Sequence, residues 1–123
     1  MNNFWSEINK TEAVFKSILG NNFKTRLIRF PGGAFENYKQ PYKNSAIKKG
    51  YKVYDWNSLN GDSEARNVPV SKLLSRTKET VRGQREIVFL MHDNTGKDTT
   101  AQALPDIIKY LKNQGYSFKA LPE

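Results

Sequence analysis

The sequence of 123 residues contains no cysteine and only one histidine, His92. The lack of cysteine excludes a disulfide framework, a thiolate metal site and a catalytic thiol. No apolar run approaches the roughly 18 residues that a membrane-spanning helix needs. Residues 1–7 have neither the basic nor the apolar region of a signal peptide. We therefore expect the chain, as written, to stay in the cytoplasm and not to span a membrane.

Acidic residues are also scarce, with 12 Asp and Glu against 20 Lys and Arg, and the formal net charge is +8. A basic surface attracts polyanions such as nucleic acid, anionic lipid or cell-wall polymers. The basic residues are interspersed with acids and form no block of five like charges, which is typical of ordinary solvated faces. The charge alone leaves a small nucleic-acid-binding α/β module open as an alternative.

The content of hydrophobic residues, 37%, and of aromatic residues, 12%, suits one packed domain. Apolar spacing predicts helices over residues 3–19, 41–49 and 69–82, and a last helix closed by Gly115. Because Pro105 disfavours a helix interior, we expect that helix to begin near Ala103. Apolar runs predict strands over residues 26–30, 51–56, 86–91 and 116–119. Their alternation predicts an α/β fold with a parallel sheet of about four strands.

The helices carry apolar side chains at helical spacing, which predicts the faces that pack on the core. In the first helix, these residues are Phe4, Trp5, Ile8, Phe15, Ile18 and Leu19. In the second helix, Tyr42, Ala46 and Ile47 are predicted to point inward. In the third they are Val70, Leu73, Leu74, Thr77 and Val81.

The most informative stretch is the apolar run 87–91, which ends in His92 and Asp93. Ligands of α/β folds bind at the carboxyl ends of parallel strands. Two other predicted strand ends carry polar residues, Arg29 and the segment 55–62 with Asp62. We expect Arg29, Asp62 and His92 to converge there, although His92 alone is explained equally well as a structural histidine.

These residue types suit acid–base chemistry. A carboxylate beside a histidine fixes the tautomer of the ring and suits it to general acid catalysis. An arginine holds a second carboxylate through a bidentate ion pair. The Pro31-Gly32-Gly33 turn brings backbone N–H groups close to a ligand, where they can stabilise an oxyanion. Taken singly, each of these residues also has a simple structural explanation.

In order and spacing, the segments 29–33, 50–62 and 90–92 resemble the last three of five motifs of the polysaccharide deacetylases. This is the NodB-homology family, carbohydrate esterase family four, and the tail 103–118 is similar to it too. The likeness covers nearly the whole chain and is greatest to bacterial peptidoglycan N-acetylglucosamine deacetylases. It implies a partial (β/α) barrel and a metal-dependent hydrolase that removes acetyl groups from N-acetylglucosamine polymers, peptidoglycan or chitin-like.

The resemblance implies three catalytic roles. His92 would be the general acid for the leaving amine, Asp62 would orient His92, and Arg29 would orient a catalytic-base aspartate. It also implies substrate contacts at Pro31, Gly32, Gly33, Trp56 and Leu90. Among these, the Gly32 backbone would contribute to the oxyanion site and Leu90 would line the pocket for the acetyl methyl group.

The chain departs from the family pattern at Gly32, where many members have Tyr, and at Ser63, where Trp is common. The larger departure concerns the family's first two motifs, which supply the base Asp, a metal-binding Asp and two metal-binding His. They precede the arginine motif, and the chain begins after them. With one His and no Cys it cannot build the Asp-His-His zinc site, so we expect no metal bound to this chain.

We therefore expect residues 1–123 to be the C-terminal part of a catalytic domain that is inactive alone. The complete enzyme would bind zinc and act at the cell surface or after secretion. Open sheet edges predict self-association or pairing with an N-terminal partner. A non-catalytic glycan-binding protein remains a second alternative, and nucleic acid is the partner that we expect least.

Overall fold

The computed structural model describes all 123 residues. The chain folds into two compact units. Unit 1 comprises residues 1–55 and 121–123, and unit 2 comprises residues 56–120. Each unit contains a two-stranded parallel sheet and two α-helices. None of the helices combines the length and the hydropathy that a membrane span requires.

Unit 1 consists of α1 (Asn2–Leu19), β1 (Leu27–Ile28), α2 (Gln40–Lys48) and β2 (Lys52–Val53). A short 3₁₀ helix, Asn37–Lys39, leads into α2. Both predicted helices are confirmed to within about a residue at each end. The two strands pair in parallel, with Leu27 opposite Lys52, and are shorter than the apolar runs that predicted them.

An aromatic cluster forms the interior of unit 1. The ring of Phe4 stacks on Phe30 with centroids 5.6 Å apart and meets Tyr42 edge-on at 5.4 Å. The neighbouring Trp5 contacts Tyr51 at 5.9 Å. Such pairs add to the stabilisation from burial of the rings themselves. The first turns of α1 are therefore held to unit 1 by aromatic contacts.

Two of the predicted apolar faces of unit 1 are only partly correct. The end of α1 is not packed, since Ile18 is 72% exposed and Leu19 is 58% exposed. In α2, Ala46 is fully buried but Ile47 is 52% exposed, so its predicted inward position is wrong. Adjacent helical residues differ by about 100° in direction, and a face centred on Ala46 turns its neighbour towards solvent.

Unit 2 consists of β3 (Ser58–Leu59), α3 (Val70–Val81), β4 (Phe89–Leu90) and α4 (Asp98–Asn113). A 3₁₀ turn, Asp62–Glu64, follows β3. The core lies between the two helices and comprises Val68, Leu73, Val81, Ala103, Ile107 and Leu111. The predicted face of α3 is confirmed, with Leu73 and Thr77 fully buried.

The sheet of unit 2 differs from the predicted one. Strand β3 lies in a segment predicted to be a loop, and it pairs in parallel with β4. The Asn57 side chain starts this pairing, because it accepts from the Val88 N–H at 2.9 Å. Residues 116–119 are not a strand. Tyr116 instead donates its N–H to the Leu111 carbonyl, where α4 ends. The prediction of one four-stranded sheet is thus replaced by two sheets of two strands.

Helix α4 begins at Asp98 rather than near Ala103, so Pro105 lies inside it. The Asn67 side-chain oxygen accepts the Asp98 N–H at 3.0 Å and satisfies one donor of the first turn. Pro105 has no N–H, so the carbonyl of Ala101, four residues earlier, lacks its helical donor. Ala101 is exposed, so water can reach that carbonyl.

Candidate active site

Parallel pairing of β3 and β4 brings their carboxyl ends to the same edge of unit 2. Strand β3 continues into Asn60, Gly61 and Asp62, and β4 continues into Met91 and His92. Gly61 has φ +76°, and a Cβ there would lie 3.0 Å from a carboxylate oxygen of Glu64. Only glycine adopts this turn without strain. The turn directs Asp62 towards the end of β4.

Asp62 binds His92 through both carboxylate oxygens. Its Oδ1 lies 2.7 Å from the imidazole Nδ1, and its Oδ2 accepts the His92 backbone N–H at 2.7 Å. The Asp62 side chain is 3% exposed, whereas that of His92 is 29% exposed. The ring is thus fixed on its Nδ1 side and retains access to solvent.

Burial alone would raise the pKa of Asp62, but hydrogen bonds from the His92 ring, the His92 backbone and Thr100 lower this pKa below its ordinary value. Asp62 is therefore a carboxylate at neutral pH, and a carboxylate only accepts hydrogen bonds. The proton between the two side chains must then belong to Nδ1. The neutral ring carries a lone pair at Nε2, and the protonated ring offers an Nε2–H donor, which is what acid–base catalysis requires.

The loop that carries Asp62 is bound to the loop that follows His92. The Lys97 ammonium donates to the carbonyls of Asp62 and Ala65. The Asn67 N–H donates to the Gly96 carbonyl at 2.8 Å. These bonds fix the main chain on both sides of the pair.

A cavity of about 500 Å³ opens beside His92. Its lining includes apolar side chains of Met91 and Leu104 and charged side chains of Asp93 and Lys97. This volume is within the range of small-molecule sites. Leu90 lies in β4 and is not among the lining residues. Its predicted substrate contact, like that of half-buried Trp56, stays a prediction.

The Pro31-Gly32-Gly33 turn belongs to unit 1, where it follows β1 and exposed Arg29. The Gly33 N–H donates to the Phe30 carbonyl at 2.9 Å and closes the turn. Gly32 has φ +69°, a region that favours glycine. The Gly32 N–H has no acceptor within unit 1. Of the two glycine amides, it is Gly32 whose N–H can serve a ligand.

Asp55 supports this turn from the end of β2. Its Oδ1 accepts the N–H of buried Ala34 at 2.7 Å, and its Oδ2 lies 3.4 Å from the Lys43 ammonium. The Lys39 ammonium donates to the carbonyls of Pro31 at 3.0 Å and Gly33 at 2.7 Å. The carboxylate at this strand end is therefore part of the structure that holds the turn.

Among the predicted catalytic residues, Asp62 and His92 are brought together in unit 2. Arg29 belongs to unit 1. Its convergence with the Asp62–His92 pair stays a prediction. Two residues that contact Asp62 were not predicted, Lys97 and Thr100. The sequence signal for Thr100 is a hydroxyl in the first turn of α4, which a search for apolar spacing passes over.

No group of three or more His, Cys, Asp or Glu side chains is arranged to hold a metal ion. Both oxygens of Asp62 already accept hydrogen bonds from protein donors. Protein zinc sites use three or four nitrogen, sulfur or carboxylate ligands. The side chains of this chain by themselves do not fit a zinc site.

No protein-family model matches the chain. It is 28% identical over 121 residues to a peptidoglycan-N-acetylglucosamine deacetylase of Bacillus cereus, covering 96% of this chain and 43% of the relative. It is 31% identical over 120 residues to a putative polysaccharide deacetylase of Bacillus subtilis, covering 95% and 41%. A solved CE4 esterase of Streptococcus mutans superposes with TM-score 0.77 at 32% identity, covering 92% of this chain and 50% of that one.

The chain thus spans half or less of the length of these proteins. These homologues confirm the resemblance that the sequence motifs predicted. They also support a fold of the (β/α) kind, although the structure itself has small parallel sheets.

Proposed function

We propose that this chain, whose sequence and structural homologues are polysaccharide deacetylases, is the proton-donating part of an enzyme that hydrolyses N-acetyl groups of N-acetylglucosamine polymers. The single observation that carries the proposal is the Asp62–His92 pair. It presents one imidazole, with its tautomer fixed, beside a cavity of about 500 Å³.

Hydrolysis of an N-acetyl group adds the oxygen of water to the carbonyl carbon and breaks the carbon–nitrogen bond. Acetate leaves on one side, and the sugar nitrogen must gain a proton to leave as an amine. Protonated His92 supplies that proton from Nε2. The negative charge of Asp62 stabilises the imidazolium and keeps Nδ1 engaged, so that Nε2 is the nitrogen that reacts.

The remaining predicted residues have binding roles in this proposal. The Gly32 N–H would stabilise the oxyanion that forms on the carbonyl oxygen. Arg29 would orient a catalytic-base aspartate through an ion pair. Trp56 and Leu90 would contact the sugar and the acetyl methyl group, with Pro31 and Gly33 shaping the turn.

Zinc, the metal of the family, would polarise the acetyl carbonyl. Because the side chains of this chain do not fit a zinc site, we propose that the metal ligands and the base belong to residues outside it. A preceding segment or a separate N-terminal partner could supply them. A second copy of this chain has the same side chains and could only cover the open sheet edges. The complete enzyme would act on cell-surface polysaccharide.

The proposal is tested by measuring acetate released from N-acetylglucosamine oligomers by this chain with added zinc. We expect no release above the blank, since base and metal site are absent from the chain. Turnover by this chain alone would contradict the proposal that the base and the metal ligands lie outside it, although loss of that turnover in His92→Ala would still agree with His92 as the proton donor. Oligosaccharide binding that survives His92→Ala, without turnover in any setting, would favour a glycan-binding protein instead.

A further inference from the structure

We propose that Thr100 is a positioning residue for the Asp62–His92 pair, because its hydroxyl, together with the His92 backbone N–H, holds the plane of the Asp62 carboxylate against the imidazole. The consequence for catalysis rests on the proposed function of His92. The positional effect itself concerns only contacts within unit 2.

The hydrogen bonds of Asp62 are divided unequally between its two oxygens. Oδ2 accepts two of them, from the Thr100 hydroxyl at 3.0 Å and from the His92 backbone N–H at 2.7 Å. Oδ1 is the partner of the imidazole Nδ1 alone. A carboxylate bound this way cannot tilt away from the ring about its Cβ–Cγ bond without weakening both bonds on Oδ2. The arrangement therefore keeps one carboxylate oxygen facing the ring.

The hydroxyl is largely shielded from solvent, although Thr100 also lines the cavity beside His92. Thr100 is 7% exposed and Asp62 is 3% exposed. A buried acceptor that loses its donor is left unsatisfied, and this costs more than the same loss at the surface. The contact of Thr100 with Asp62 is therefore not a replaceable surface hydrogen bond.

The hydroxyl of Thr100 does not follow the usual pattern of a helical threonine. Thr77, in α3, donates its hydroxyl to the Leu73 carbonyl of its own helix at 2.8 Å. Thr100 instead donates across to a different loop, 38 residues away in sequence. Its backbone N–H donates to the Lys97 carbonyl at 3.0 Å in the first turn of α4. The Lys97 ammonium in turn binds the carbonyls of Asp62 and Ala65.

The Thr100 hydroxyl also helps to keep Asp62 ionised. It is one of the donors that lower the pKa of Asp62. An ionised Asp62 is the condition for the tautomer with hydrogen on Nδ1 and the reactive position at Nε2. Loss of the hydroxyl should thus leave the carboxylate held by the His92 N–H alone on Oδ2, and should raise the pKa of Asp62.

The test is NMR on the full chain, in which the only histidine gives the only imidazole signals. The Asp62 carboxyl is titrated by ¹³C shifts, and the tautomer of His92 is determined from its ¹⁵N shifts. We expect Thr100→Val to raise the pKa of Asp62, because the ionised carboxylate loses one of its donors. The more loosely held carboxylate should bind Nδ1–H less well, so the share of the tautomer with hydrogen on Nε2 should increase. Thr100→Ser should restore both values.

The matched control is Thr77→Val, which removes a buried hydroxyl from the same unit without touching Asp62. It should change neither the titration of Asp62 nor the tautomer. If Thr100→Val folds poorly, Thr100→Ala carries the same test. If only Thr100→Ser folds, the hydroxyl serves the structure as a whole and the proposal is overturned.

An unchanged titration and tautomer in folded Thr100→Val overturns the proposal, whatever the activity of the complete enzyme. A changed Asp62 titration and a changed His92 tautomer in Thr100→Val support the positioning role. They do so even if no acetate release that depends on His92 is ever found. In that second case the deacetylase function fails while the positioning by Thr100 stands, so the two failures are distinguishable.

Discussion

Asp62 binds His92 at two points of the same residue, its ring nitrogen through Oδ1 and its backbone N–H through Oδ2, each at 2.7 Å. Because ring and backbone share one carboxylate, the imidazole is fixed relative to the end of β4. The His92 side chain remains 29% exposed and lines the cavity. The pair is thus preorganised before any ligand binds.

The first prediction concerns the tautomer of His92. In ¹⁵N spectra above the titration of the ring, the neutral imidazole should carry hydrogen on Nδ1. Asp62→Ala should shift it towards hydrogen on Nε2, because the acceptor for Nδ1–H is lost. Asp93→Ala, which changes an exposed neighbour, should leave the tautomer as it is. Dominance of the Nε2–H form in the unaltered chain would refute the assigned geometry.

The second prediction concerns stability in acid. The pKa of Asp62 is lower in the folded chain than its ordinary value of 3.8. A lowered folded pKa stabilises the protein above the unfolded pKa, and this contribution disappears as pH falls through the folded value. The free energy of unfolding, from urea titrations at pH 6 and pH 3, should thus fall less steeply with acid in Asp62→Asn.

The control for this prediction is Asp106→Asn, a carboxylate exposed on α4. It should retain the acid sensitivity of the unaltered chain. Equal acid sensitivity of Asp62→Asn and the unaltered chain would mean that Asp62 does not contribute in this way.

The third prediction concerns the core of unit 2. Ile107 is 1% exposed between α3 and α4, and Ile107→Ala should lower the free energy of unfolding by about 2–5 kcal/mol. The same substitution at Ile18, which is 72% exposed, should change it by no more than about 0.5 kcal/mol. Urea denaturation measures both. A large effect at Ile18 would reveal that the end of α1 is packed in solution, against a further copy or segment.

The fourth prediction concerns the turn of unit 1. Asp55→Ala would leave the N–H of Ala34, which is 1% exposed, without its acceptor and should cost about 1–3 kcal/mol. Glu36→Ala removes the ion pair between exposed Glu36 and Lys39 and should cost clearly less than Asp55→Ala. Amide hydrogen exchange at Ala34 should increase in the first variant only. Unchanged protection there would contradict the role given to Asp55.

Much of the local structure follows from the sequence. Apolar spacing fixes the face of α3, since Leu73, Thr77 and Val81 repeat at intervals of four and must bury together. The convergence of Asp62 and His92 is also predicted, because strand ends of a parallel sheet meet at one edge, although the strand that leads to Asp62 is β3 and not the predicted strand 51–56.

What the sequence leaves open depends on contacts between distant segments. Strand β3 has only two residues, Ser58 and Leu59, and the Asn57 side chain beside it binds the Val88 N–H. Helix α4 extends back to Asp98 despite Pro105, and the Asn67 side chain accepts one N–H of its first turn, that of Asp98. The role of Thr100 could not be predicted either, because its partner, Asp62, lies 38 residues earlier in the sequence.

The central claim is that this chain supplies the proton donor of a deacetylase, and a chimera tests it most directly. The segment of the Bacillus cereus deacetylase that matches this chain is replaced by residues 1–123, and acetate release from N-acetylglucosamine oligomers is measured. We predict turnover that falls by about 100-fold or more in His92→Ala and is unchanged in Lys109→Ala, an exposed position on α4. A folded chimera that releases acetate equally well with and without His92 would contradict the claim.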